Sequence, residues 1–187
     1  MNLANMQPRP EPGVIHVLIE VPAGSRNKYE YDAAAECMAL DTVLHSSVVY
    51  PFDYGFVPNT MAEDGDPLDA MVIMGQPTFA GCLIRGRPIG ILAMVDHGCR
   101  DEKLLCVPRN DPRLEGVRSI RQIASQRLEE VAEFFRIYKN FKGERTEILG
   151  WQDAEGVDPL LNRCCEAAAA ATSVRPDGSA RALASLP

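Results

Sequence analysis

The stretch VIHVLIEV, residues 14–21, consists mainly of β-branched and apolar residues and ends at Pro22, which cannot donate a backbone hydrogen bond. It therefore predicts a β-strand. Six further runs of similar character follow, between loops rich in Gly, Pro and Asp: 28–31, 38–43, 70–73, 83–86, 89–95 and 103–107. Many short strands at this spacing are typical of a small closed β-barrel.

After residue 118 the apolar residues change to helical spacing. They form one stripe: Ile120, Ile123, Leu128, Val131, Phe135 and Tyr138. Ser119 and Gln122 have the spacing of a capping box, so this helix begins at Ser119 or a few residues later. A second helix is predicted after Asp158, with Pro159 at its first position. Because the strands come first and the helices later, the predicted class is α+β.

Length and composition favour one globular domain. The chain has 187 residues, of which 46% are hydrophobic and 24% charged. The apolar run at 167–171 is far shorter than the roughly 20 residues of a membrane span. We expect residues 1–13, which are rich in proline and unlike a secretory signal, to form an arm. We expect 14–171 to form the domain and 172–187, which lack periodicity, to be disordered.

The charge and the cysteines limit the partners and the compartment. The chain has 19 basic and 26 acidic residues, a formal net charge of -7, which disfavours binding to nucleic acid. None of the six cysteines forms a C-x-x-C pair, and two of them are adjacent. Reduced thiols and a cytoplasmic location are the simplest interpretation.

The densest chemical signal is the acidic loop Asp64-Gly65-Asp66-Pro67-Leu68-Asp69. Glycine permits a sharp turn and proline stiffens it, so three carboxylates can converge on one side. Converging carboxylates repel one another unless a hard cation such as magnesium or calcium neutralises them. Taken alone, the loop fits such a site and a solvated acidic turn equally well. An EF-hand is a poor match, because its pattern requires glycine at the sixth position, where this loop has Asp69.

Other polar residues are spread along the chain in patterns that suit a metal–phosphate complex. Asp96 and Asp101 lie in a predicted loop, whereas Glu20 and Glu30 lie on predicted strands. Lysines and tyrosines accompany them: Lys28, Lys103, Lys139, Tyr50, Tyr54 and Tyr138. In such a site the acids bind metal ions, while lysines and hydroxyls bind phosphate oxygens. His97 is another candidate ligand, although a lone histidine in a loop is usually just exposed.

Together these segments resemble the soluble family I inorganic pyrophosphatases of the prokaryotic type. The resemblance covers roughly residues 14–165. It rests on motifs in the family's order: Ile19-Glu20-Val21-Pro22, Lys28-Tyr29-Glu30, 50–55, Asp64-Gly65-Asp66-Pro67-Leu68-Asp69-Ala70, 96–103 and Tyr138-Lys139. It implies an α+β fold, a small closed five-stranded OB-like β-barrel with flanking hairpins and two helices packed on it.

The resemblance also implies an activity and roles for individual residues. The activity is magnesium-dependent hydrolysis of inorganic pyrophosphate to two phosphates, in a homo-oligomer that is a hexamer in bacterial members. The implied base is Asp66, which takes a proton from a metal-bridging water. The implied ligands of several Mg²⁺ ions are Glu20, Glu30, Asp64, Asp69, Asp96 and Asp101. The implied phosphate-binding residues are Lys28, Tyr54, Lys103, Tyr138 and Lys139, with Tyr50 in the wall.

The sequence departs from the family pattern at Thr42, where the family has an arginine. Arginine offers phosphate a forked and permanently charged contact, whereas threonine offers one neutral hydroxyl. The change is compatible with a diverged paralogue, acting either on a related phosphoanhydride or phosphate ester or as a weakly active metal- or phosphate-binding protein. Alternatively, Arg26, Arg85 or Arg87 supplies the missing charge.

Overall fold

The computed structural model describes residues 3–45, 47–139 and 146–173. These ranges contain nine β-strands and two α-helices, joined by loops and short 3₁₀ turns. The strands are β1 Ile15–Val21, β2 Asn27–Asp32, β3 Cys37–Val43, β4 Asp53–Phe56, β5 Asp69–Val72, β6 Leu83–Asp96, β7 Cys99–Arg100, β8 Lys103–Pro108 and β9 Thr146–Asp153. The helices are α1 Ser125–Ile137 and α2 Val157–Ser173.

Five strands pair in a closed ring in the order β1-β4-β5-β8-β6, and β6 pairs with β1 to close it. All neighbours in the ring are antiparallel except β5 and β8. Strands β7 and β9 also pair with β6, while β2 and β3 form a separate hairpin. The predicted α+β class and the OB-like ring of five strands are confirmed.

The core lies on both faces of the ring. Alternate residues of β8 point to opposite sides, so Leu104 packs in the cluster under α2 and Leu105 packs in the cluster under α1. Both clusters are apolar, and every residue of β8 is buried. This two-sided burial explains why the strand has a continuous apolar run instead of polar alternation.

Several predicted boundaries were wrong. The runs 83–86 and 89–95 belong to one strand, β6, whose register shifts between Pro88 and Gly90. Strands β4, β7 and β9 were not predicted. The capping box at Ser119 exists, but it caps a short 3₁₀ turn, Ile120–Gln122, and α1 begins later, at Ser125. Helix α2 begins at Val157, so Pro159 lies within its first turn and not at its first position.

The ends of the predicted domain are only partly described. In the N-terminal segment, Pro8 accepts a hydrogen bond from His16 N at 2.9 Å, and Met6 accepts one from Asn59 Nδ2 at 2.7 Å. Of the predicted disordered tail 172–187, Thr172 and Ser173 belong to α2 and the rest lies outside the described residues. The division at residues 13 and 171 stays a prediction. No helix in the described ranges is long and apolar enough to cross a membrane.

Strands β1 and β4 approach each other closely at Gly55, which pairs with Ile19. A Cβ atom at Gly55 would lie 1.9 Å from the carbonyl oxygen of Leu18, which is backbone and cannot rotate away. Only glycine fits at this point of the ring, because any side chain would push two paired strands apart.

We therefore expect Gly55→Ala to lower the free energy of unfolding by at least about 3 kcal/mol, the upper end of overpacking effects. Urea unfolding followed by circular dichroism measures this change. Gly116→Ala is the matched control, because a Cβ there meets no atom within 4 Å. Equal stability of the two variants would contradict the close approach.

Candidate active site

Two parallel neighbours, β5 and β8, bring the first pair of predicted site residues together. Asp69 begins β5 and Lys103 begins β8, and the next residues, Ala70 and Leu104, are paired in register. Strand β4 lies on the other side of β5 and contributes Tyr54. Residues far apart in sequence thus meet at one end of the ring because the strand register aligns them.

The centre of the site is the ammonium group of Lys103. Its Nζ lies 2.5 Å from Asp69 Oδ2 and 2.7 Å from Asp101 Oδ1, and its side chain is 2% exposed. Tyr54 donates its hydroxyl hydrogen to Asp69 Oδ2 at 2.5 Å and lies 3.4 Å from the same ammonium. Two carboxylates, one at the start of β5 and one between β7 and β8, therefore share one buried cation.

Aromatic rings from α1 and from β4 lie beside this cation. Lys103 Nζ lies 5.2 Å from the ring centroid of Phe135 and 5.6 Å from that of Tyr54. The Tyr50 ring packs 5.4 Å from that of Tyr54 and 4.6 Å from that of Phe134. The rings exclude water from one side of Lys103 and present their π faces to its positive charge.

Charge and burial act in opposite directions on Lys103. Burial alone would lower the pKa of its ammonium, but Asp69 and Asp101 outweigh burial and raise that pKa above its ordinary value. Burial raises the pKa of Asp101, and Asp69 adds to the increase in spite of the contact with Lys103. The ammonium of Lys103 therefore stays positively charged. Ionisation of Asp101 is less favourable than usual because of burial and the nearby charge of Asp69.

The acidic loop, residues 64–69, contains a tight turn. Gly65 has a φ of 90°, and Asp64 Oδ1 accepts a hydrogen bond from Asp66 N at 3.0 Å. Burial raises the pKa of both Asp64 and Asp66, and the charge of Asp69 raises each further. The three aspartates thus lie within electrostatic reach of one another.

Glu20 enters the site from β1 at an irregularity of the strand. Ile19 pairs with Gly55 and Val21 with Tyr54, so Glu20 is an extra residue opposite β4. Its Oε1 accepts a hydrogen bond from Tyr31 N at 2.8 Å. Burial, with a contribution from Asp69, raises the pKa of Glu20 to about 8.

The β2–β3 hairpin contributes a second group of charges. Lys28 Nζ contacts Glu30 Oε1 and lies 3.2 Å from Asp41 Oδ2. Burial would lower the pKa of Lys28, but Glu30 and Asp41 raise it above its ordinary value. Lys28 also influences the pKa of both Glu20 and Asp66, which connects the hairpin to the centre.

The end of β6 and the residues after α1 provide a third group. Lys139 Nζ contacts Asp96 Oδ2 and lies 5.5 Å from the Tyr138 ring centroid. Burial would raise the pKa of Asp96, but the contact with Lys139 outweighs it and lowers that pKa. His97 Nδ1 lies 3.2 Å from Asp96 Oδ1, although its side chain is largely exposed.

The residues that the sequence singled out for the site are linked to one another by contacts or by electrostatic influence. Direct contacts link Lys103, Asp69, Asp101 and Tyr54, and mutual effects on pKa link these to the hairpin, the acidic loop and Asp96. The roles of the individual residues stay predictions.

Sequence reasoning missed two contributors. Phe135 was assigned only to a helical stripe, but its ring also lies beside the ammonium of Lys103. Asp41 precedes Thr42 and was not considered, because its direction depends on an irregularity of β3 that has no signature in the sequence.

The three arginines proposed to compensate for Thr42 have different surroundings. Arg87 is buried. Its guanidinium donates to the backbone carbonyls of Leu114, Glu115 and Val117, so it is not available to replace the arginine at position 42. Arg26 lies at the start of the hairpin and donates to the carbonyl of Leu44 at 3.2 Å. Arg85 lies on β6, opposite His16 of β1. Only Arg87 is excluded.

The donor chemistry of the site suits a hard divalent cation. Among the described residues, no three His, Cys, Asp or Glu side chains already form a metal-ligating group. Their arrangement instead pairs carboxylates with lysines. However, the donors are carboxylate oxygens, and Glu20, Asp64, Asp66 and Asp101 all have raised pKa values. Mutually repelling oxygen donors of this kind are what magnesium neutralises.

Comparison with known proteins agrees with this geometry. The family model of inorganic pyrophosphatases matches residues 17–169. An inorganic pyrophosphatase of Synechocystis is 60% identical over 88% of this chain and 97% of the relative. One from Halalkalibacterium halodurans is 46% identical over 82% of this chain and 94% of the relative. The crystal structure of inorganic pyrophosphatase from Thermus thermophilus superposes with a TM-score of 0.86 at 36% identity, covering 90% and 99% of the two chains.

The five-stranded ring with the carboxylate–lysine cluster of Lys103, Asp69 and Asp101 at one end, taken together with these relatives, identifies a hydrolase of phosphoanhydrides. The chain belongs to the inorganic pyrophosphatase family. The family predicted from the sequence motifs is confirmed.

The raised pKa of Glu20 predicts a dependence of stability on pH. Its carboxyl titrates near 4.5 when unfolded and near 8 when folded, so between these values the folded protein binds more protons. The contribution of Glu20 to the free energy of unfolding therefore decreases as pH rises from about 4.5 to about 8. In the presence of a chelator, Glu20→Gln should exceed the parent in stability by on the order of a few kcal/mol at pH 8.5.

Urea unfolding of parent and variant between pH 4 and 9 measures this difference. Glu133→Gln, which removes an exposed carboxylate 3.2 Å from Arg136 on α1, is the control for the loss of a carboxylate as such. A difference between parent and Glu20→Gln that is the same at every pH would contradict the raised pKa.

Proposed function

We propose that the chain hydrolyses inorganic pyrophosphate to two phosphate ions at the carboxylate–lysine cluster, with magnesium as its cofactor. The observation that carries this proposal is the buried ammonium of Lys103, held between Asp69 and Asp101 at the end of the ring. It occurs in a chain that shares 60% identity with an inorganic pyrophosphatase over nearly its whole length.

Six carboxylates would hold magnesium. Asp64, Asp69 and Asp101 would bind an activating pair of ions, and Asp96 with Asp101 would bind a further ion. Glu20 and Glu30 would hold further ions. When bound, magnesium lowers the pKa of a coordinated water and neutralises charge on the phosphates.

Asp66 is the proposed general base, which would accept a proton from the attacking water. Burial and the charge of Asp69 raise its pKa, which brings the carboxyl closer to the operating pH and improves proton transfer. The water oxygen forms a bond to one phosphorus, and the bond from that phosphorus to the bridging oxygen breaks. No covalent intermediate with the protein is needed.

Lysines and tyrosines would hold the two phosphates around this step. Lys28, Lys103 and Lys139 offer charge-assisted hydrogen bonds, and Tyr54 and Tyr138 offer hydroxyl groups. Burial raises the pKa of both tyrosines, so their hydroxyls stay protonated and can donate. The main contribution of these side chains is to position the phosphates and stabilise the charge that develops on them.

We also propose a cytoplasmic homo-oligomer that binds no nucleic acid. The six cysteines are all free thiols, which suits a reducing compartment, and the net charge of -7 opposes contact with a phosphate backbone. The hexameric state is an expectation from the family resemblance.

Phosphate release tests the activity. We expect fast release from pyrophosphate in magnesium, none after chelation, and far slower release from a nucleoside triphosphate or a monoester. Thr42 lies opposite Lys28 in the hairpin, where the resemblance implies an arginine, and this favours a second candidate, a related phosphohydrolase. Comparable rates on all three substrates would support that candidate, and phosphate binding without turnover would support a non-catalytic paralogue.

Asp66→Asn tests the base. The amide keeps the size of the side chain but accepts no proton, so we expect kcat to fall by roughly 10²–10⁴-fold. Magnesium binding measured by calorimetry should change little. Glu63→Gln, on the same loop, is the control and should keep the parent rate. An Asp66→Asn variant with unchanged kcat would remove Asp66 from this role.

A further inference from the structure

Strand β3 departs from regular pairing beside Lys28. Lys28 pairs with Thr42, whereas Tyr29 pairs with Leu40, so Asp41 is an extra residue in β3 with no partner position on β2. Such a β-bulge redirects side chains and recurs next to active sites. Here it brings Asp41 Oδ2 to 3.2 Å from Lys28 Nζ.

A second β-bulge places another acidic residue at the site. Glu20 is the extra residue where β1 pairs with β4, as Asp41 is where β3 pairs with β2. In a regular strand, neighbouring side chains alternate between faces, so the bulge allows Asp41 and Thr42 to lie on the side of Lys28 together.

Lys28 is shared between two carboxylates of different kinds. Glu30, which contacts its ammonium, belongs to the proposed magnesium ligands, whereas Asp41 does not. A carboxylate that binds a divalent cation loses most of its attraction for a neighbouring ammonium, because its charge is neutralised. Asp41 is then the carboxylate that continues to hold Lys28.

We propose that Asp41 is a positioning residue that keeps the ammonium of Lys28 oriented toward the phosphate of the substrate. This inference rests on the proposed function. An ammonium has three hydrogens to donate, so a contact with Asp41 leaves others for phosphate oxygens. A lysine side chain also loses much rotamer freedom when it is fixed, and an anchor that restricts it beforehand reduces that loss on binding.

The position of Thr42 makes this anchor important in this chain. Thr42 brings a neutral hydroxyl opposite Lys28, so the hairpin relies on the lysine for positive charge at that pair. The ion pair is partly exposed, with side-chain exposures of 28% for Lys28 and 36% for Asp41. Pairs of this exposure contribute modestly, which sets the size of the expected effect.

Steady-state kinetics of the full chain on pyrophosphate at saturating magnesium test the inference. We expect Asp41→Asn to raise KM by about 3–5-fold and to change kcat by less than about 2-fold. Glu36→Gln removes a charge at the turn of the same hairpin and should change neither constant. Thermal unfolding of both variants shows whether the hairpin is intact.

A double-mutant cycle with Lys28→Gln separates positioning from a structural effect. If Asp41 acts through Lys28, Asp41→Asn should produce no further change of KM in the Lys28→Gln background. Equal effects in both backgrounds would overturn the inference, and so would a lower KM of Asp41→Asn, which would mean that Asp41 merely neutralises Lys28. An active parent whose Asp41→Asn variant keeps its KM overturns this inference alone, whereas a parent that releases no phosphate overturns the proposed function as well.

Discussion

The buried ion cluster of Lys103 with Asp69 and Asp101 is the interaction on which the site depends. A buried ammonium is tolerated only when carboxylates compensate for its lost hydration, and these carboxylates repel each other without it. The strand register of the ring supplies that compensation, because β5 and β8 begin side by side. The aromatic residues behind Lys103 complete the arrangement by excluding water. The pairing of strands in the ring is therefore what brings the compensating charges of the site together.

Irregular strands, and not only loops, deliver charge to this site. Strand β1 is buried on both faces and has no place for a carboxylate unless its pairing is interrupted, whereas β3 lies in the mostly exposed hairpin. At Glu20 the register of β1 shifts, and at Asp41 the register of β3 shifts, and each acid faces a partner at the site. The raised pKa of Glu20 shows how strongly burial acts on such a residue. The fold thus combines a closed apolar ring with acidic groups that the ring itself would not accommodate.

Most strands were predictable because their side chains are either alternating or continuously apolar over several residues. Strand β4 was missed because two of its four residues, Asp53 and Gly55, are of types that are rare in strands, and β7 because it has only two residues. The two runs on β6 seemed separate because Pro88 interrupts them, yet a bulge lets one strand continue past the proline. The predicted capping box at Ser119 is present, but it caps the 3₁₀ turn Ile120–Gln122 and not the start of α1.

The sequence by itself determined the α+β class, the acidic loop and the identity of the charged residues, because these depend on local composition and spacing. It also carried the family motifs that the comparisons confirm. Only the tertiary structure decided that Lys103 lies between Asp69 and Asp101, that Arg87 is committed to backbone carbonyls, and that Asp41 contacts Lys28. These contacts depend on strand register and bulges, where a shift of one residue turns a side chain to the opposite face.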